Sequence, residues 1–238
     1  MPFQDKNTYI YGASHLLEIG NLGTAVAHKV NLVAANNLRA IRLGMDDSDT
    51  ETLERYESFI SSRKQDLTLP NSVSKNCTLI DLHNCKYLYN PTLSLVTRNG
   101  TTSTNMFPSL KTLLIGGSNI SSVDIGDYTP IEKFEMSDVM TTISFTNLPQ
   151  LQDVVLPKSL AGIRSIVISN CPGFDQLTFL KNFQDMSLTI SVDNLQGTEA
   201  TAVDMAFMNW LKSVNATLAG DIYVMNIADE NLEEYRQL

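Results

Sequence analysis

Cysteine is scarce in this chain, which has three cysteines in 238 residues. An odd number of cysteines without close paired spacing does not provide the framework of a disulfide-stapled domain. Cys77 and Cys85 can meet across adjacent turns, but both occupy positions that suit an apolar or turn residue. We therefore expect reduced cysteines with a structural role.

Positive charge is also in short supply, since 17 lysines and arginines face 26 aspartates and glutamates and the net charge is −9. A nucleic-acid-binding surface needs clustered lysine and arginine, so no nucleic-acid partner is expected. Long apolar runs are missing too. Nothing approaches the roughly 18 consecutive apolar residues of a transmembrane helix, and the first residues lack the pattern of a secretory signal. We predict no membrane span and no signal peptide in this sequence.

Motifs for catalysis or cofactor binding are absent from the sequence. The three histidines, His15, His28 and His83, lie in different segments, and none has a cysteine or carboxylate at metal-ligand spacing. There is no Gly-x-Ser-x-Gly elbow, no phosphate-binding loop and no dinucleotide fingerprint. We predict no metal, no cofactor and no catalytic residues, although a triad can still assemble from distant positions.

What the sequence does contain is a repeat of the form apolar-x-x-apolar-x-apolar. The pattern returns eight times, starting at Leu110, Ile120, Ile131, Met140, Leu151, Ile163, Phe174 and Phe183. Successive starts are 9 to 12 residues apart, and alternate starts are 20 to 23 residues apart. An even period of this length is typical of a solenoid built from short repeats.

The last two apolar residues of each repeat predict a short strand. Residues two apart in a strand point to one side, so both can be buried while the residue between them points outward. Two triplets per coil predict two ladders of stacked parallel strands. The buried positions would be Leu113, Phe134, Val154 and Leu177 on one ladder, and Val123, Ile143, Ile166 and Met186 on the other.

The repeat resembles the leucine-rich repeat family, in particular its irregular bacterial type with the pattern L-x-x-V-x-L-P-x-S-L-x-x-I. Residues 151–163, LQDVVLPKSLAGI, fit that pattern, and DLTLPNSV from Asp66 repeats its centre. The family favours Asn or Cys three residues after the last Leu of the strand, where Cys85 and Cys171 lie. The resemblance implies an irregular leucine-rich-repeat parallel β-solenoid of the α/β class, from a bacterial surface protein or a bacteriophage structural protein.

One helix interrupts the early coils, which are indicated by Leu67, Ile80 and Leu93 among others. A capping signal, Ser48 with Glu51 three residues on, precedes an apolar face, so we predict a helical insertion at about 47–64. That face would carry Leu53, Tyr56, Phe59 and Ile60. The acidic residues near the helix start suit the helix dipole, and they lack the glycine and terminal glutamate of a calcium-binding loop.

Two further interruptions are expected. Residues 97–108 are polar and predict a disordered loop insertion, with a binding loop as the alternative. Residues 195–238 would form a C-terminal capping region, with an apolar helix face around Trp210 and a strand containing Ile222 and Val224. We predict one solenoid domain over residues 1–238, as part of a longer protein.

The predicted outward positions indicate where a partner would bind. On the first ladder they are Leu114, Glu135, Val155 and Thr178, and Leu114 with Val155 would make this ladder the more apolar one. Arg39 and Arg42 precede Asp46 and Asp47 and would form a polar contact patch. These residues, Leu114, Glu135, Val155, Thr178, Arg39 and Arg42, form the candidate interaction surface.

Three functions are compatible with the predicted solenoid, and the sequence does not decide among them. The first is a non-catalytic interaction module that binds a protein partner, with a glycan as the alternative ligand. The second is a structural assembly or spacer component of a virion or cell-surface structure. The third, an enzyme on a solenoid, requires a cleft that collects histidine and carboxylate side chains. Partner, oligomeric state and compartment are not specified by the residues, beyond the virion or cell surface that the resemblance implies.

Overall fold

The chain is described by a computed structural model of residues 9–20, 28–60, 64–193, 205–214 and 216–219. The described residues form mostly parallel β-sheets with three short helices, a β-rich α/β fold. Most of the predicted C-terminal capping region, including the predicted strand at Ile222 and Val224, lies outside the described residues.

The elements follow one another in short segments along the chain. The strands are β1 (Tyr9–Tyr11), β2 (Glu18–Gly20), β3 (Lys29–Asn31), β4 (Ala40–Arg42), β5 (Asp66–Thr68), β6 (Leu79–Asp81), β7 (Thr92–Ser94), β8 (Val96–Asn99), β9 (Thr102–Asn105), β10 (Thr112–Leu114), β11 (Ser122–Asp124), β12 (Lys133–Glu135), β13 (Thr142–Thr146), β14 (Asp153–Val155), β15 (Ser165–Ser169), β16 (Thr189–Asp193) and β17 (Thr217–Ala219). The helices are α1 (Thr50–Ile60), α2 (Gln176–Lys181) and α3 (Met205–Ser213).

Alternate strands of the first part of the chain build one six-stranded parallel sheet, in the order β14-β12-β10-β6-β4-β2. Its register places Leu113 beside Phe134 and Phe134 beside Val154, so three of the four predicted positions of the first ladder are confirmed. Leu113 and Phe134 are buried, as are Ile80 and Ile41 at the same position of β6 and β4. The ladder exists because each strand contributes an aliphatic or aromatic side chain to one continuous apolar row.

The intervening strands form further parallel sheets, namely β1-β3-β5, β11-β7 and β13-β15-β16-β17. In the last of these, Ile143 pairs with Ile166 as predicted. The residue that follows in the ladder is Ile190 of β16. Val123 pairs with Leu93 and belongs to the separate β11-β7 sheet.

Besides Val123, two predicted ladder positions are wrong. Leu177, predicted on the first ladder, lies in α2, and Thr178, predicted to point outward from that strand, lies in the first turn of the same helix. The reason is local, because Asp175 caps this helix by accepting hydrogen bonds from the amide and hydroxyl of Thr178. Met186 lies outside the strands. The strand that follows it is β16, Thr189–Asp193, whose buried residues are Ile190 and Val192.

Helix α1 confirms the predicted insertion, although it begins three residues later than predicted and ends at Ile60. The Ser48–Glu51 capping box is wrong, since Asp49 accepts hydrogen bonds from the amide and the hydroxyl of Thr52, at 3.0 and 2.6 Å. The predicted apolar face is buried at Tyr56, whose hydroxyl accepts a hydrogen bond from the Tyr87 amide. In α3, Trp210 is buried as predicted, and its Nε1 donates to the Met186 carbonyl at 2.9 Å.

The loop expected to be disordered is a β-hairpin, in which β8 and β9 pair antiparallel from Val96–Asn105 to Asn99–Thr102. Gly100 has a φ of 60° at the first central position of the two-residue turn, where a type II′ turn requires glycine. Arg98 extends from the hairpin and forms an ion pair with Asp124 of β11 at 2.6 Å. The sequence signal for this hairpin is Gly100 followed by Thr101, since glycine at the first central position suits a type II′ turn.

Two of the turns that follow strands contain a buried cysteine, preceded by an asparagine whose backbone is in the left-handed conformation. Cys85 donates to the Leu43 carbonyl and Cys171 to the Phe145 carbonyl, at 3.4 and 3.5 Å. All three cysteines are free and buried, and burial raises the pKa of Cys77 to about 11. The residue before each turn cysteine, Asn84 or Asn170, has a positive φ, which asparagine tolerates better than most residues.

The described chain divides into two compact units. The first contains the residues up to Met140 together with Asp153–Ser159, and thus the whole six-stranded sheet. The second contains Thr141–Gln152 and the residues from Leu160 onward. Its core combines the inward side of the β13-β15-β16-β17 sheet with a cluster of aromatic rings that includes Phe145, Phe174 and Phe179.

Phe134 tests the energetic importance of the inward ladder. It is 1% exposed and lies between Leu113 and Val154 in register, so we expect Phe134→Ala to lower the free energy of unfolding by about 3–5 kcal/mol. Urea denaturation followed by circular dichroism measures this change. The neighbouring outward variant Lys133→Ala, which removes an exposed ion pair with Asp153, should cost less than about 1 kcal/mol. Equal losses in the two variants would contradict the assigned register.

Asp175 tests the local cause of the helix that replaces a predicted strand. We expect Asp175→Ala to lower the free energy of unfolding by about 1 kcal/mol, because the Thr178 amide loses its acceptor. Asp175→Asn retains a capping oxygen and should lose only a small part of that stability. Thermal melts of the three proteins give the comparison, and an Ala variant as stable as the parent would show that the cap is dispensable.

Candidate functional site

The outward side of the six-stranded sheet carries a row of side chains from the last position of each strand. Arg42, Asp81, Leu114, Glu135 and Val155 follow one another in register across β4, β6, β10, β12 and β14, and we call these five residues the outer row. Arg42 is exposed and the other four are partly exposed. Two apolar side chains therefore alternate with charged ones along a single line.

A second row runs parallel to it, from the first position of the same strands. It contains Glu18, Ala40, Leu79, Thr112, Lys133 and Asp153. Lys133 and Asp153 form an ion pair at 3.0 Å, and both remain accessible to water. The two rows together form what we call the sheet face.

Two glycines let the carboxylates of the outer row lie against the neighbouring strand. A Cβ atom on Gly44, just after β4, would collide with Oδ1 of Asp81. In the same way, a Cβ atom on Gly116 would collide with Oε1 of Glu135. Both carboxylates thus occupy space that any other residue at these positions would fill, which is a physical reason for glycine there.

His83 links these two carboxylates and completes what we call the His83 cluster, composed of Asp81, His83 and Glu135. Its Nε2 lies 3.3 Å from Oε1 of Glu135, and its backbone amide donates to Oδ1 of Asp81 at 3.1 Å. Burial raises the pKa of Glu135, and the charge of Asp81 adds to this effect, while His83 opposes it. The cluster therefore holds a partly desolvated carboxylate beside an imidazole.

The polar network continues on one side of the cluster through Asn84. Its Nδ2 donates to the Met45 carbonyl at 2.7 Å and to Oδ1 of Asp47 at 2.8 Å. Lys158 approaches the other carboxylate oxygen of Asp47 at 3.4 Å. The hydrogen bond from Asn84, followed by the contact with Lys158, lowers the pKa of Asp47, so this carboxylate is held in its charged form.

The structure separates the predicted surface residues into two groups. Leu114, Glu135 and Val155 lie side by side as expected, and Arg42 lies on the same face beside Asp81. Thr178 lies in α2, in the other compact unit.

Arg39 and Arg42 were predicted to form a polar contact patch near Asp46 and Asp47. In the described residues, neither arginine forms an ion pair with either aspartate. Asp46 accepts hydrogen bonds from Ser48 instead. Both arginines are exposed.

Three residues of this site were missed by the sequence reasoning, namely Asp81, His83 and Lys158. The outward position of Asp81 could be predicted from the sequence, because Asp81 lies between the apolar residues Ile80 and Leu82, which are buried, and it occupies the same strand position as Glu135. The contacts of His83 and Lys158 could not be predicted, because they depend on turns that join strands far apart in sequence.

The chemistry that this arrangement supports is hydrogen bonding and ion pairing at a surface. The nearby thiol of Cys85 is fully buried, and burial raises its pKa, so it remains protonated and faces the interior. Within the ranges that the structure describes, no three histidine, cysteine or carboxylate side chains are grouped as metal ligands. None of the described helices is long and apolar enough to cross a membrane. Comparison with known proteins finds no matching family model, no matching curated protein and no matching solved structure.

The raised pKa of Glu135 gives the stability of the fold a defined pH dependence. Below its ordinary pKa of 4.5 the neutral acid favours the folded state, and this advantage is lost as pH rises through the raised value. The variant Glu135→Gln remains neutral throughout. We therefore expect the stability of the parent, relative to this variant, to fall as pH rises above 4.5, as measured by urea denaturation at each pH. A relative stability that rises as pH rises above 4.5 would contradict the burial of this carboxylate.

Proposed function

We propose that this chain is a non-catalytic, leucine-rich-repeat-like solenoid module that binds another protein through the sheet face. The solenoid reading is supported by strands that return to one parallel sheet after about 20 residues, as from Leu113 to Phe134 and from Phe134 to Val154. Parallel strands separated by such short connections suit stacked coils. The resemblance of the repeat to the irregular bacterial type supports a bacterial or bacteriophage protein as its source.

The observation that carries the proposed function is the composition of the outer row. Leu114 and Val155 are partly exposed aliphatic side chains on either side of Glu135, and Arg42 and Asp81 extend the row with charges. Protein interfaces combine an apolar centre with a polar surround in this way. The side chains also lie on strands rather than loops, so their positions are fixed before a partner arrives and little ordering is lost on binding.

The charge of the sheet face indicates the chemistry of the partner. Its two rows contain four acidic residues, Glu18, Asp81, Glu135 and Asp153, and two basic residues, Arg42 and Lys133. The excess is negative, as is the net charge of −9 for the whole chain. A partner surface with exposed aliphatic side chains and a surplus of lysine or arginine would complement it, and its association would slow with added salt.

A protein partner fits this face better than a glycan does. Sugar rings are commonly held by stacking on flat aromatic side chains, which combine an apolar body with a polar rim. None of the outward positions of the six strands is aromatic in the part of the chain that the structure describes. Aliphatic side chains among ion-pairing groups suit a protein surface instead.

A structural assembly component is the second candidate, and the edges of the sheet favour it. β2 and β14 are the outermost strands of the six-stranded sheet. Exposed strand edges can pair with another chain, which is how spacers join end to end. This alternative requires self-association, so sedimentation velocity of the purified chain over a wide concentration range distinguishes it from the first proposal, which requires none.

Val155 provides the test of the binding face. A display library of genomic fragments from the source organism is selected on the immobilised chain, and enriched fragments are then titrated against variants. We expect Leu114→Glu and Val155→Glu to weaken binding by about tenfold or more, since a charge is placed in the apolar part of the row.

Val139 supplies the matched control, because it is another valine of the same unit, 44% exposed, and lies outside the sheet. Val139→Glu should bind like the parent, and circular dichroism should show all three variants folded. Fragments that bind the parent and both row variants equally well would exclude the sheet face as the binding site.

A further inference from the structure

A gap interrupts the stacking of strands β5 and β7, which belong to successive coils but to different sheets. The two coils are joined just before the gap, where the Gln65 amide donates to the Tyr87 carbonyl and the Tyr89 amide donates to the Gln65 carbonyl, both at 2.7 Å. Beyond this point, most of the Cα pairs between β5 and β7 are more than 8 Å apart. Paired strands are only about 4.8 Å apart, so the two strands diverge from their common start.

Pro91 gives the sequence reason for this divergence. In a parallel ladder, every second residue of a strand bonds to the same neighbouring strand. Tyr89 bonds to the β5 segment, so the next amide that would have to donate to that segment is the one of residue 91. Proline has no amide hydrogen, and it therefore ends such ladders. The Pro91 carbonyl instead accepts from the Ser121 amide, at 2.8 Å, which turns the strand toward β11.

The backbone groups that face the gap have no strand partner. On β5, the Asp66 amide and the Thr68 carbonyl bond to the β3 side, so the amide and carbonyl of Leu67 point the other way. On the β7 side, the Pro91 carbonyl and the Leu95 amide bond to the β11 segment. Because backbone groups of a strand alternate in direction, the amides and carbonyls of Thr92 and Ser94 point toward β5. No backbone hydrogen bond joins Asp66–Thr68 to Thr92–Ser94, both of which lie in a fully described stretch. Two strand edges thus face each other across the gap.

The gap contains a cavity of about 270 Å³ that is open to solvent and lined by both apolar and polar residues. The apolar part of the lining, which we call the apolar floor, is Leu67, Leu69, Leu82, Leu88, Leu93 and Ile120, and the polar part is Thr68, Asn90, Thr92 and Ser94. Leu67 illustrates the effect of the missing neighbour, because it points inward and is partly exposed, whereas its register partner Val30 in β3 is fully buried. An inward leucine left accessible on a strand loses part of the stabilisation that burial would give it.

We propose that the gap between β5 and β7 binds an extended segment of a partner polypeptide, which adds a strand between the two edges. Its backbone would pair with Leu67 on one side and with Thr92 and Ser94 on the other. One of its apolar side chains, of about the size of leucine or phenylalanine, would enter the cavity while alternate side chains remain in water. This site is separate from the sheet face, so its test does not depend on the function proposed above.

Two features favour a polypeptide over a small apolar ligand. A small molecule would fill the cavity but leave the amides and carbonyls of both edges without partners. A strand satisfies the apolar floor and the two edges together, as in other cases of strand addition to a sheet edge. The β5 and β7 Cα atoms are also mostly farther apart than the single spacing of about 4.8 Å that directly paired strands would have.

The first experiment measures backbone amide exchange of the intact chain by NMR. The amides of Leu67, Thr92 and Ser94 should exchange at least about 100-fold faster than that of Leu113, which lies in the interior of the six-stranded sheet. Equal protection at all four amides would show that the gap is closed and would overturn the proposal.

The second experiment uses displayed random nine-residue peptides as the probe, with selection on the parent chain and counter-selection on Leu69→Trp, whose larger side chain fills the gap. Selected peptides should bind Leu69→Trp at least about tenfold more weakly than the parent. Leu79→Trp, a matched change on the sheet face, should bind them like the parent, and circular dichroism should show both variants folded.

The same peptides, with alternate backbone amides N-methylated, separate strand pairing from simple apolar contact. Methylation removes the donors without changing the side chains. Alternate amides of an inserted strand face β5 and β7 in turn, so affinity should fall at least about tenfold in both methylation registers. Binding that survives methylation in either register would show that one edge does not pair with the peptide, and would contradict the proposal. Failure to enrich any peptide on the parent over Leu69→Trp would also contradict it.

Discussion

The structure depends on the burial of one or two apolar side chains from each short strand against the equivalent side chains of the strands beside it. A strand of three residues has too little apolar surface to be stable alone, so each gains its stability from neighbours in register. Ile41, Ile80, Leu113 and Phe134 form one such uninterrupted line in the six-stranded sheet. Both proposals about function follow from this constraint: the sheet face is what the line leaves outward, and the gap at Pro91 is where stacking fails.

The two surfaces differ in what they present to a partner. The sheet face offers side chains on complete strands, with partly exposed Leu114 and Val155 beside the desolvated carboxylate of Glu135. The gap between β5 and β7 offers backbone groups and an apolar floor. Side-chain recognition selects a complementary folded surface, whereas edge recognition selects an extended segment, so one module can hold two partners or two parts of one partner.

Much of the strand ladder was predictable from the sequence, because an inward position is decided by alternation within six residues. Leu113, Phe134 and Val154 were found in this way. The same apolar spacing is helical at Leu177, because Asp175 caps a helix there. The site was less predictable, because the contact of His83 with Glu135 depends on the register of strands separated by more than 50 residues and on space left by Gly116.

The central claim is that strands about 20 residues apart, rather than adjacent ones, are neighbours in a parallel sheet. Nuclear Overhauser contacts between backbone protons test it directly. The account predicts contacts that join the segment around Leu113 to that around Phe134, and the latter to that around Val154, in the diagonal pattern of parallel strands. Close contacts between α-protons of Leu113 and Val123, which mark an antiparallel hairpin, would contradict it.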